Sequence, residues 1–416
     1  MERFKTISVF EHQRLYVGEL GFKQTHLDAF LKLNELHDGN YFDPISKGIK
    51  FKQYVGVIQV DGLIIEINPK ADKDDDDGKW KGLLLKMLQA CGKLKAESTG
   101  AAHVKRQNLN LLEVYFDLYL HEVDGLVRKG LIKQYRKQTK NTFALKGKLE
   151  FAGHIRNNAV HKERFYTTHH VYDTDHLIHQ ILLKALNIVD QFTSGTRLHD
   201  FSKRVLLNFP EVTNKKIISK LLNNIQLNKK TFSYSYALEL ARLIILNYSP
   251  DIASGKEKML SLLFDMNELW EEYILKQLHK SCLGKDIEVS GQESKTFWGS
   301  NRLKPDIVLR KGCDTYILDT KWKRPLNSSA SVSDLRQIYS YCRFWDAKKG
   351  LLLYPGNSQE NKFQSYKTDD YSNDTENEPK HIKHQCKMGY VSVFNPDTSE
   401  LDEQIGQNIL DILEIS

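Results

Sequence analysis

The sequence contains few cysteines, and none of them lies in a Cys-x-x-Cys pair. The five cysteines are scattered along 416 residues, and an odd, unpaired set argues for a reducing compartment rather than a disulfide framework. The amino-terminal residues Met1 to Lys5 lack the apolar core of a signal peptide. No apolar run reaches the length of a membrane span. We therefore expect a cytoplasmic protein with no membrane contact.

A phosphate-binding loop is also missing from the sequence. No Gly-x-x-x-x-Gly-Lys-[Ser/Thr] motif occurs, and that motif supplies the backbone N–H groups that hold nucleotide phosphates in P-loop proteins. The chain should therefore not bind GTP by itself. No internal repeat period emerges either.

The composition predicts a protein of two or three domains. Hydrophobic residues make up 40% of the 416 residues, which is enough for real cores. The formal net charge is +7 and the pI is about 8.8. This mildly basic balance is compatible with nucleic acid but is not specific to it.

Three consecutive regions are predicted, and together they indicate a multi-domain α/β protein. Residues 1–150 are β-rich, with a strong hairpin signal in two apolar segments joined by Asp61-Gly62. Residues 151–255 are mainly helical and end at a Pro/Gly break. Residues 256–416 alternate helices and strands in the order expected for a nuclease-like α/β core.

The densest group of candidate catalytic residues lies in the third region. The segments LKPDIVL (303–309) and YILDTKWK (316–323) predict two short strands joined by a turn. Strand side chains two residues apart share a face, so Asp319 and Lys321 should project together. If the two strands pair through the turn, Asp306 lies beside them.

Two carboxylates and one ammonium on one side of a small sheet suit metal-assisted phosphodiester cleavage. The carboxylates can hold a hard cation such as Mg²⁺, which keeps several waters. The metal polarises the phosphate and lowers the pKa of a bound water. The lysine can orient that water or stabilise charge developing on the phosphate oxygens.

The pattern Pro-Asp followed by Asp-x-Lys on the next strand resembles the PD-(D/E)xK nuclease superfamily. A solvated edge strand explains Asp-x-Lys equally well by itself. The apolar residues 307–309 and 316–318, however, predict buried central strands. Charged groups at the ends of buried strands need partners, because unpaired buried charge is costly.

A helix that precedes these strands supplies one possible partner. Asp265 with Glu268 predicts a helix start of the capping-box kind. Glu271 lies three and four residues before Ile274 and Leu275, which places it on the apolar face of the helix. Glu271 is then either a metal ligand or a residue next to the ligands. The alternative is that this helix face has been misassigned as apolar.

A second helix follows the strands. Asp334, Gln337 and Tyr341 fall on one helical stripe. Gln337 and Tyr341, four residues apart, can both point at a phosphate or at the catalytic lysine. An ordinary amphipathic helix is the alternative, but a Gln-x-x-x-Tyr helix just after Asp-x-Lys resembles the RecB-like branch of these nucleases.

With these residues together, the chain resembles the McrC family, the nuclease subunits of McrBC-type 5-methylcytosine-specific restriction systems. The family usually has Phe where Trp270 stands, a change that leaves Glu271 in register. The resemblance is spread over most of the chain and is carried by Val57 to Lys70, Phe264 to Tyr273, Leu303 to Leu309, Ile317 to Lys323 and Asp334 to Tyr341.

The resemblance implies a specific set of roles. Asp306 and Asp319 would be Mg²⁺ ligands, Lys321 the catalytic lysine, and Glu271 an accessory acid that also ligates the metal. Gln337 and Tyr341 would support the site. The amino-terminal region, residues 1–150, would dock on a hexameric McrB-like AAA+ GTPase and stimulate its GTP hydrolysis, and the assembly would cleave double-stranded DNA.

Two alternatives to a partner-driven endonuclease stay open. The chain could be a non-cleaving adaptor that activates an AAA+ motor through a vestigial nuclease site. The presence of all the acidic and lysine positions disfavours this reading. It could also be a stand-alone nuclease, which a partner-free and nucleotide-independent activity would support.

Overall fold

The computed structural model describes most of the chain. The described residues are 5–60, 62–69, 77–94, 110–215, 217–249, 259–323, 325, 329–357, 361–366, 384–395 and 400–415.

The two helices predicted on either side of the motif strands are present as Met266–Ser281 and Val332–Trp345. Asn110 caps the third helix by accepting a hydrogen bond from the Glu113 backbone N–H, and the Glu113 side chain accepts one from the Asn110 N–H in return. In chain order the described α-helices are α1 (Gln24–Leu36), α2 (Asp77–Ala90), α3 (Leu111–Lys129), α4 (Phe151–Asn158), α5 (Leu177–Thr193), α6 (His199–Asn208), α7 (Ser219–Asn223), α8 (Ser235–Leu246), α9 (Met266–Ser281), α10 (Val332–Trp345) and α11 (Ile405–Leu413).

The strands include the predicted hairpin and the two predicted motif strands. In chain order they are β1 (Lys5–Phe10), β2 (Arg14–Tyr16), β3 (Phe42–Ile45), β4 (Gly48–Phe51), β5 (Tyr54–Val60), β6 (Leu63–Asn68), β7 (Gln134–Thr142), β8 (Lys148–Leu149), β9 (Phe165–Asp173), β10 (Tyr248–Ser249), β11 (Met259–Asp265), β12 (Glu288–Gly291), β13 (Lys295–Trp298), β14 (Asn301–Leu303), β15 (Ile307–Lys311), β16 (Asp314–Thr320), β17 (Lys349–Pro355), β18 (Gln364–Ser365) and β19 (Gln385–Val391). Strands β11 to β14 were not among the predicted elements.

These strands form several sheets of different sizes. A six-stranded sheet has the order β12-β15-β16-β17-β19-β18, and a five-stranded sheet has the order β1-β6-β5-β11-β10. Two three-stranded sheets have the orders β2-β4-β3 and β7-β9-β8, and β13 pairs with β14 alone. The protein is therefore a mixed α/β, multi-domain chain, as predicted.

By compactness the chain divides into two units, each built from separated segments. Unit 1 lies within Met1–Lys5, Ile58–Ile64 and Asn108–Leu262, and unit 2 within Thr6–Val57, Ile65–Gln107 and Leu263–Ser416. This differs from the three consecutive regions predicted. Position 150 lies inside unit 1 because β8 pairs with β9 across it, and the predicted boundary at 255 lies outside the described residues.

Unit 1 buries the apolar faces of its helices. Helix α5 buries Ile181, Leu182, Ala185 and Leu186 completely, which is the spacing of one helical face. The Tyr119 hydroxyl of α3 donates a 2.7 Å hydrogen bond to the Leu182 carbonyl. None of the helices in the described segments is long and apolar enough to cross a bilayer.

Unit 2 is organised around the six-stranded sheet. Strands β15 and β16 pair antiparallel from Ile307↔Leu318 to Lys311↔Asp314, and β16 pairs parallel with β17. Helix α10 packs on this sheet at Gly350, where an added Cβ would lie 2.8 Å from the Cys342 sulfur. This close contact buries the apolar side of the sheet. The polar groups lie instead at the carboxyl end of β16.

Candidate active site

The carboxyl end of β16 carries a buried ion pair. Asp319 is completely buried, and its Oδ2 lies 2.7 Å from the Nζ of Lys321. The Lys321 backbone N–H donates to the Leu353 carbonyl on the neighbouring strand β17. The prediction that Asp319 and Lys321 share a face is therefore confirmed.

Asp306 comes to the same edge of the sheet from β15. It immediately precedes Ile307, which pairs with Leu318. The Asp306 Oδ2 accepts hydrogen bonds from both the backbone N–H (2.7 Å) and the hydroxyl (2.9 Å) of Thr320. The predicted pairing of the motif strands thus places Asp306 and Asp319 side by side, and Thr320 holds the first carboxylate in place.

Helix α10 contacts the lysine through the predicted Gln-x-x-x-Tyr pair. The Lys321 ammonium donates to the Gln337 Oε1 (3.1 Å), and the Gln337 Nε2 donates to the Tyr341 hydroxyl (2.8 Å). Asp334, one turn earlier on α10, pairs with Lys323 at 2.8 Å. The helical stripe therefore faces the lysines that flank Trp322, and Gln337 fixes the position of the Lys321 ammonium.

Glu271 reaches the site from α9. Asp265 caps this helix by accepting a 2.8 Å hydrogen bond from the Asn267 backbone N–H. Glu271 is half-buried, and its Oε1 accepts a 2.7 Å hydrogen bond from the Gln292 Nε2. The Gln292 backbone N–H in turn donates to the Asp306 carbonyl, so Gln292 links Glu271 to the strand that carries Asp306.

The site has an excess of negative charge, which shows in its pKa values. Burial, with a further contribution from the Asp306 charge, raises the pKa of Asp319 to about 7. Burial also raises the pKa of Asp306, against the hydrogen bonds from Thr320. Burial and the Asp306 charge raise the pKa of Glu271. These three acids favour the approach of a cation.

Lys321 stays protonated in this setting. Burial alone lowers the pKa of Lys321, but the attraction of the Asp319 carboxylate outweighs it and the net pKa is raised. One ammonium does not neutralise three carboxylates. The remaining negative charge must therefore be compensated by a further cation or by protonation of the acids.

The buried carboxylates offer the oxygen ligands that a divalent metal ion needs. Both carboxylate oxygens of Asp319 are buried, and Oδ2 lies 2.7 Å from the Lys321 ammonium. Such oxygens suit a metal, and Mg²⁺ is commonly held by one or two carboxylates while keeping its waters. The Asp306 and Asp319 pair fits that requirement.

The predicted set of three metal ligands is not assembled as one cluster. Within the described part of the chain, no group of three or more His, Cys, Asp or Glu side chains is arranged to hold a metal. The Glu271 carboxylate is turned to Gln292, which gives a physical reason for its separation from the pair. The metal-binding role of Glu271 stays a prediction.

Sequence reasoning missed three partners that complete the site. They are Thr320, which holds Asp306, Gln292, which holds Glu271, and Lys323, which pairs with Asp334. Thr320 could have been found, since it stands between Asp319 and Lys321 and its backbone faces β15. Gln292 follows β12, a strand that carries no clear sequence signal.

Fold and site together define a mixed α/β protein with a buried carboxylate–lysine site at the end of two paired strands. The sequence model of a family described as "McrBC 5-methylcytosine restriction system component" matches residues 49–355. This match spans more than half of the chain. The chain therefore belongs to the McrBC 5-methylcytosine restriction system component family, and the predicted resemblance to McrC is confirmed.

A relative of known function agrees with this assignment. The chain is 21% identical over 284 residues to the Type IV methyl-directed restriction enzyme EcoKMcrBC of Escherichia coli (strain K12), covering 61% of this chain and 80% of that protein.

Two solved structures share the fold. One is a refined half-complex from a tetradecameric assembly of Thermococcus gammatolerans McrB AAA+ hexamers with bound McrC. A chain of it matches with a TM-score of 0.71 and 19% identity, over 98% of this chain and 100% of that chain. The other is the Thermococcus gammatolerans McrBC complex, with a TM-score of 0.50 and 21% identity over 67% and 88% of the two chains.

Proposed function

We propose that the chain is the Mg²⁺-dependent endonuclease subunit of a modification-dependent restriction system, with a PD-(D/E)xK nuclease core in unit 2. The observation that carries this proposal is the Asp319–Lys321 pair, buried beside Asp306 and contacted by Gln337. A completely buried carboxylate beside a second carboxylate is costly to the fold. A role in binding a metal and a phosphate accounts for that cost.

In this proposal Asp306 and Asp319 hold Mg²⁺, with Glu271 as an accessory acid. When bound, the metal supplies Lewis-acid polarisation of the phosphate and a more acidic water. Thr320 keeps Asp306 oriented through two hydrogen bonds. These hydrogen bonds reduce the reorganisation that the carboxylate needs when a cation arrives.

Lys321 provides the positive charge for the reaction. Its raised pKa keeps it protonated at neutral pH, so it acts as a cation rather than as a base. The Gln337 Oε1 and the Asp319 carboxylate hold the ammonium from two directions. A preorganised ammonium of this kind stabilises negative charge that develops on the phosphate oxygens.

The AAA+ partner is proposed from the family and from the relatives. One relative is described as McrB AAA+ hexamers with bound McrC, and the present chain contains no P-loop of its own. We propose that it docks on such a hexamer, stimulates its GTP hydrolysis, and cuts double-stranded DNA carrying methylcytosine. The proposed docking region is residues 1–150.

The test is plasmid cleavage by the purified chain with Mg²⁺, on methylated and unmethylated DNA, with and without the AAA+ partner and GTP. Cleavage that needs partner, GTP and methylated DNA is the expected result. Cleavage by the chain alone would instead identify a stand-alone nuclease. Stimulated GTP hydrolysis without cleavage of any DNA would instead support a non-cleaving adaptor.

Two pairs of variants assign the site. Asp319→Asn and Lys321→Ala should abolish cleavage while partner binding stays intact. Asp314→Asn and Lys348→Ala are matched controls, because they remove an exposed Asp–Lys pair with the same 2.7 Å separation at the other end of β16. Normal cleavage by either site variant would show that the site is assigned incorrectly.

A further inference from the structure

We propose that the β13–β14 hairpin binds duplex DNA, with the Trp298 ring against the bases and Arg302 and Lys304 against the phosphates. This inference rests on the proposed nuclease function and adds the element that positions its substrate. The hairpin spans residues 295–303 and is defined by the pairing of Lys295 with Leu303 and of Thr296 with Arg302.

The hairpin presents two adjacent aromatic rings to solvent. Trp298 is 75% exposed and Phe297 is 51% exposed. The other four tryptophans, Trp80, Trp270, Trp322 and Trp345, are at most 5% exposed. An exposed tryptophan at the end of a strand costs hydration free energy, and exposed apolar groups of this size are typical of binding surfaces.

The charge of the hairpin selects the kind of partner. Residues 295–304 contain three cations, Lys295, Arg302 and Lys304, and no carboxylate. Cations interleaved with aromatic rings match a nucleic acid, since the cations neutralise phosphates and the rings contact bases. An apolar protein partner would not need a segment of uniformly positive charge.

The hairpin leads directly into the catalytic strand. Strand β14 ends at Leu303, and only Lys304 and Pro305 separate it from Asp306. DNA held by the hairpin would therefore place a phosphate beside the carboxylates.

The hairpin is attached firmly to α10, the helix that carries Gln337. The Lys295 ammonium donates a 2.9 Å hydrogen bond to the Phe344 carbonyl in the last turn of α10 and lies 4.8 Å from the Trp345 ring centroid. Phe297 packs edge-on against Phe344 at 5.4 Å. A rigid base lets the exposed Trp298 hold DNA in a fixed position relative to Lys321.

The base of the hairpin is locked by a second set of contacts. Glu293 accepts a bidentate pair of hydrogen bonds from Arg310 of β15 at 2.7 and 2.8 Å, and a 2.8 Å hydrogen bond from the Trp345 indole. The hydrogen bonds from Arg310 lower the pKa of Glu293 to about 2. The network ties the hairpin, the helix and the catalytic sheet together.

The experiment measures binding of the full-length chain to a short fluorescein-labelled duplex, in the Asp319→Asn background so that no strand is cut. Trp298→Ala should weaken binding about tenfold, and Trp298→Phe should retain most of the affinity, since a phenyl ring still provides an apolar contact to the bases. Phe232→Ala is the matched control, because it removes another aromatic side chain of 70% exposure. It should not change the affinity.

Two further readouts distinguish a DNA contact from a structural role. Because Trp298 is the exposed tryptophan, the duplex should protect the intrinsic fluorescence from acrylamide quenching, and Trp298→Ala should remove the quenchable fraction. Arg302→Gln should weaken binding to all sequences alike and reduce the salt slope of log affinity by about one.

Several results would overturn the proposal. One is a Trp298→Ala variant with unchanged DNA affinity, and another is a duplex that leaves the quenching unchanged. Weakened binding to the AAA+ partner or to a second copy, with DNA binding intact, would assign the hairpin to a protein contact. DNA binding through Trp298 without any cleavage by the otherwise wild-type assembly would instead refute the proposed function and leave the hairpin assignment standing.

Discussion

Replacing Asp319 with Asn should make the protein more stable above neutral pH while removing its activity. Asp319 is completely buried, and burial raises its pKa from 3.8 to about 7. A difference of about 3 pH units between the folded and unfolded states corresponds to about 4 kcal/mol. This is an upper estimate of what ionising this carboxyl costs the folded state.

The sign follows from the direction of the shift. Because the folded pKa is the higher one, the folded state holds the proton more tightly, and this group costs nothing below about pH 4. Its cost grows as the pH rises and levels off above about pH 7. Asn is neutral at every pH but leaves a buried amide short of partners, which costs about 1–3 kcal/mol. We therefore expect Asp319→Asn to be slightly less stable at about pH 4 and more stable, by roughly 1–3 kcal/mol, at about pH 8.

The assay is the midpoint of thermal unfolding for wild type and variant across this pH range. Asp314→Asn is the control with the opposite expectation, since the hydrogen bond from Lys348 lowers the pKa of Asp314 and its loss should slightly destabilise the protein at higher pH. The reasoning fails if the midpoint of Asp319→Asn does not rise relative to wild type between about pH 4 and about pH 8.

The same unfolding assay can also test where Mg²⁺ binds. A ligand that binds only the folded state raises its stability. If Asp306 and Asp319 hold the ion, Mg²⁺ should raise the midpoint of the wild type at about pH 8 and have little effect on Asp319→Asn. An equal response of the two proteins would place the ion elsewhere.

Substitutions at four further positions test other parts of the structure. Glu11→Ala removes the acceptor of the 2.6 Å hydrogen bond from the buried Trp322 indole and should cost about 1.5–3 kcal/mol in unfolding experiments, whereas Glu11→Gln should retain much of the stability. Gly406→Ala should lower stability by about 1–3 kcal/mol, because its Cβ would lie 2.5 Å from a backbone oxygen of α9. Gly125→Ala meets no atom within 4 Å and should be neutral or stabilising by up to about 1 kcal/mol. Gln337→Ala should reduce cleavage about 10- to 100-fold with an unchanged unfolding midpoint, and full activity would show that the lysine needs no such support.

Much of the site could be predicted because its residues are close together in the sequence. Strand alternation places Asp319 and Lys321 on one face, and helical spacing places Gln337 and Tyr341 on one stripe. The turn between β15 and β16 is short, so their pairing brought Asp306 to the same edge. Each of these inferences needs only residues that are near in sequence.

Contacts between distant segments could not be predicted in the same way. Glu11 and Trp322 are 311 residues apart in the chain, and nothing in the spacing of either segment indicates their contact. Gln292 turns the Glu271 carboxylate to itself through a strand that had no clear signal. The sequence predicted Glu271 as a metal ligand from its helical face, whereas its hydrogen-bond partner depends on how two elements pack.

The sequence by itself determined the hairpin, the motif strands and the helices beside them, the motif residues and the family, because periodicity and residue spacing act over a few residues. Tertiary structure alone decided the protonation of the site, since the raised pKa of Asp319 depends on complete burial beside Asp306. It also decided which ring stays exposed: Trp298 and Trp345 are equally apolar, but Trp345 is covered by the hairpin and the sheet while Trp298 faces solvent. Burial is a property of the packed chain, and it decides which charges and which apolar surfaces are available to a ligand.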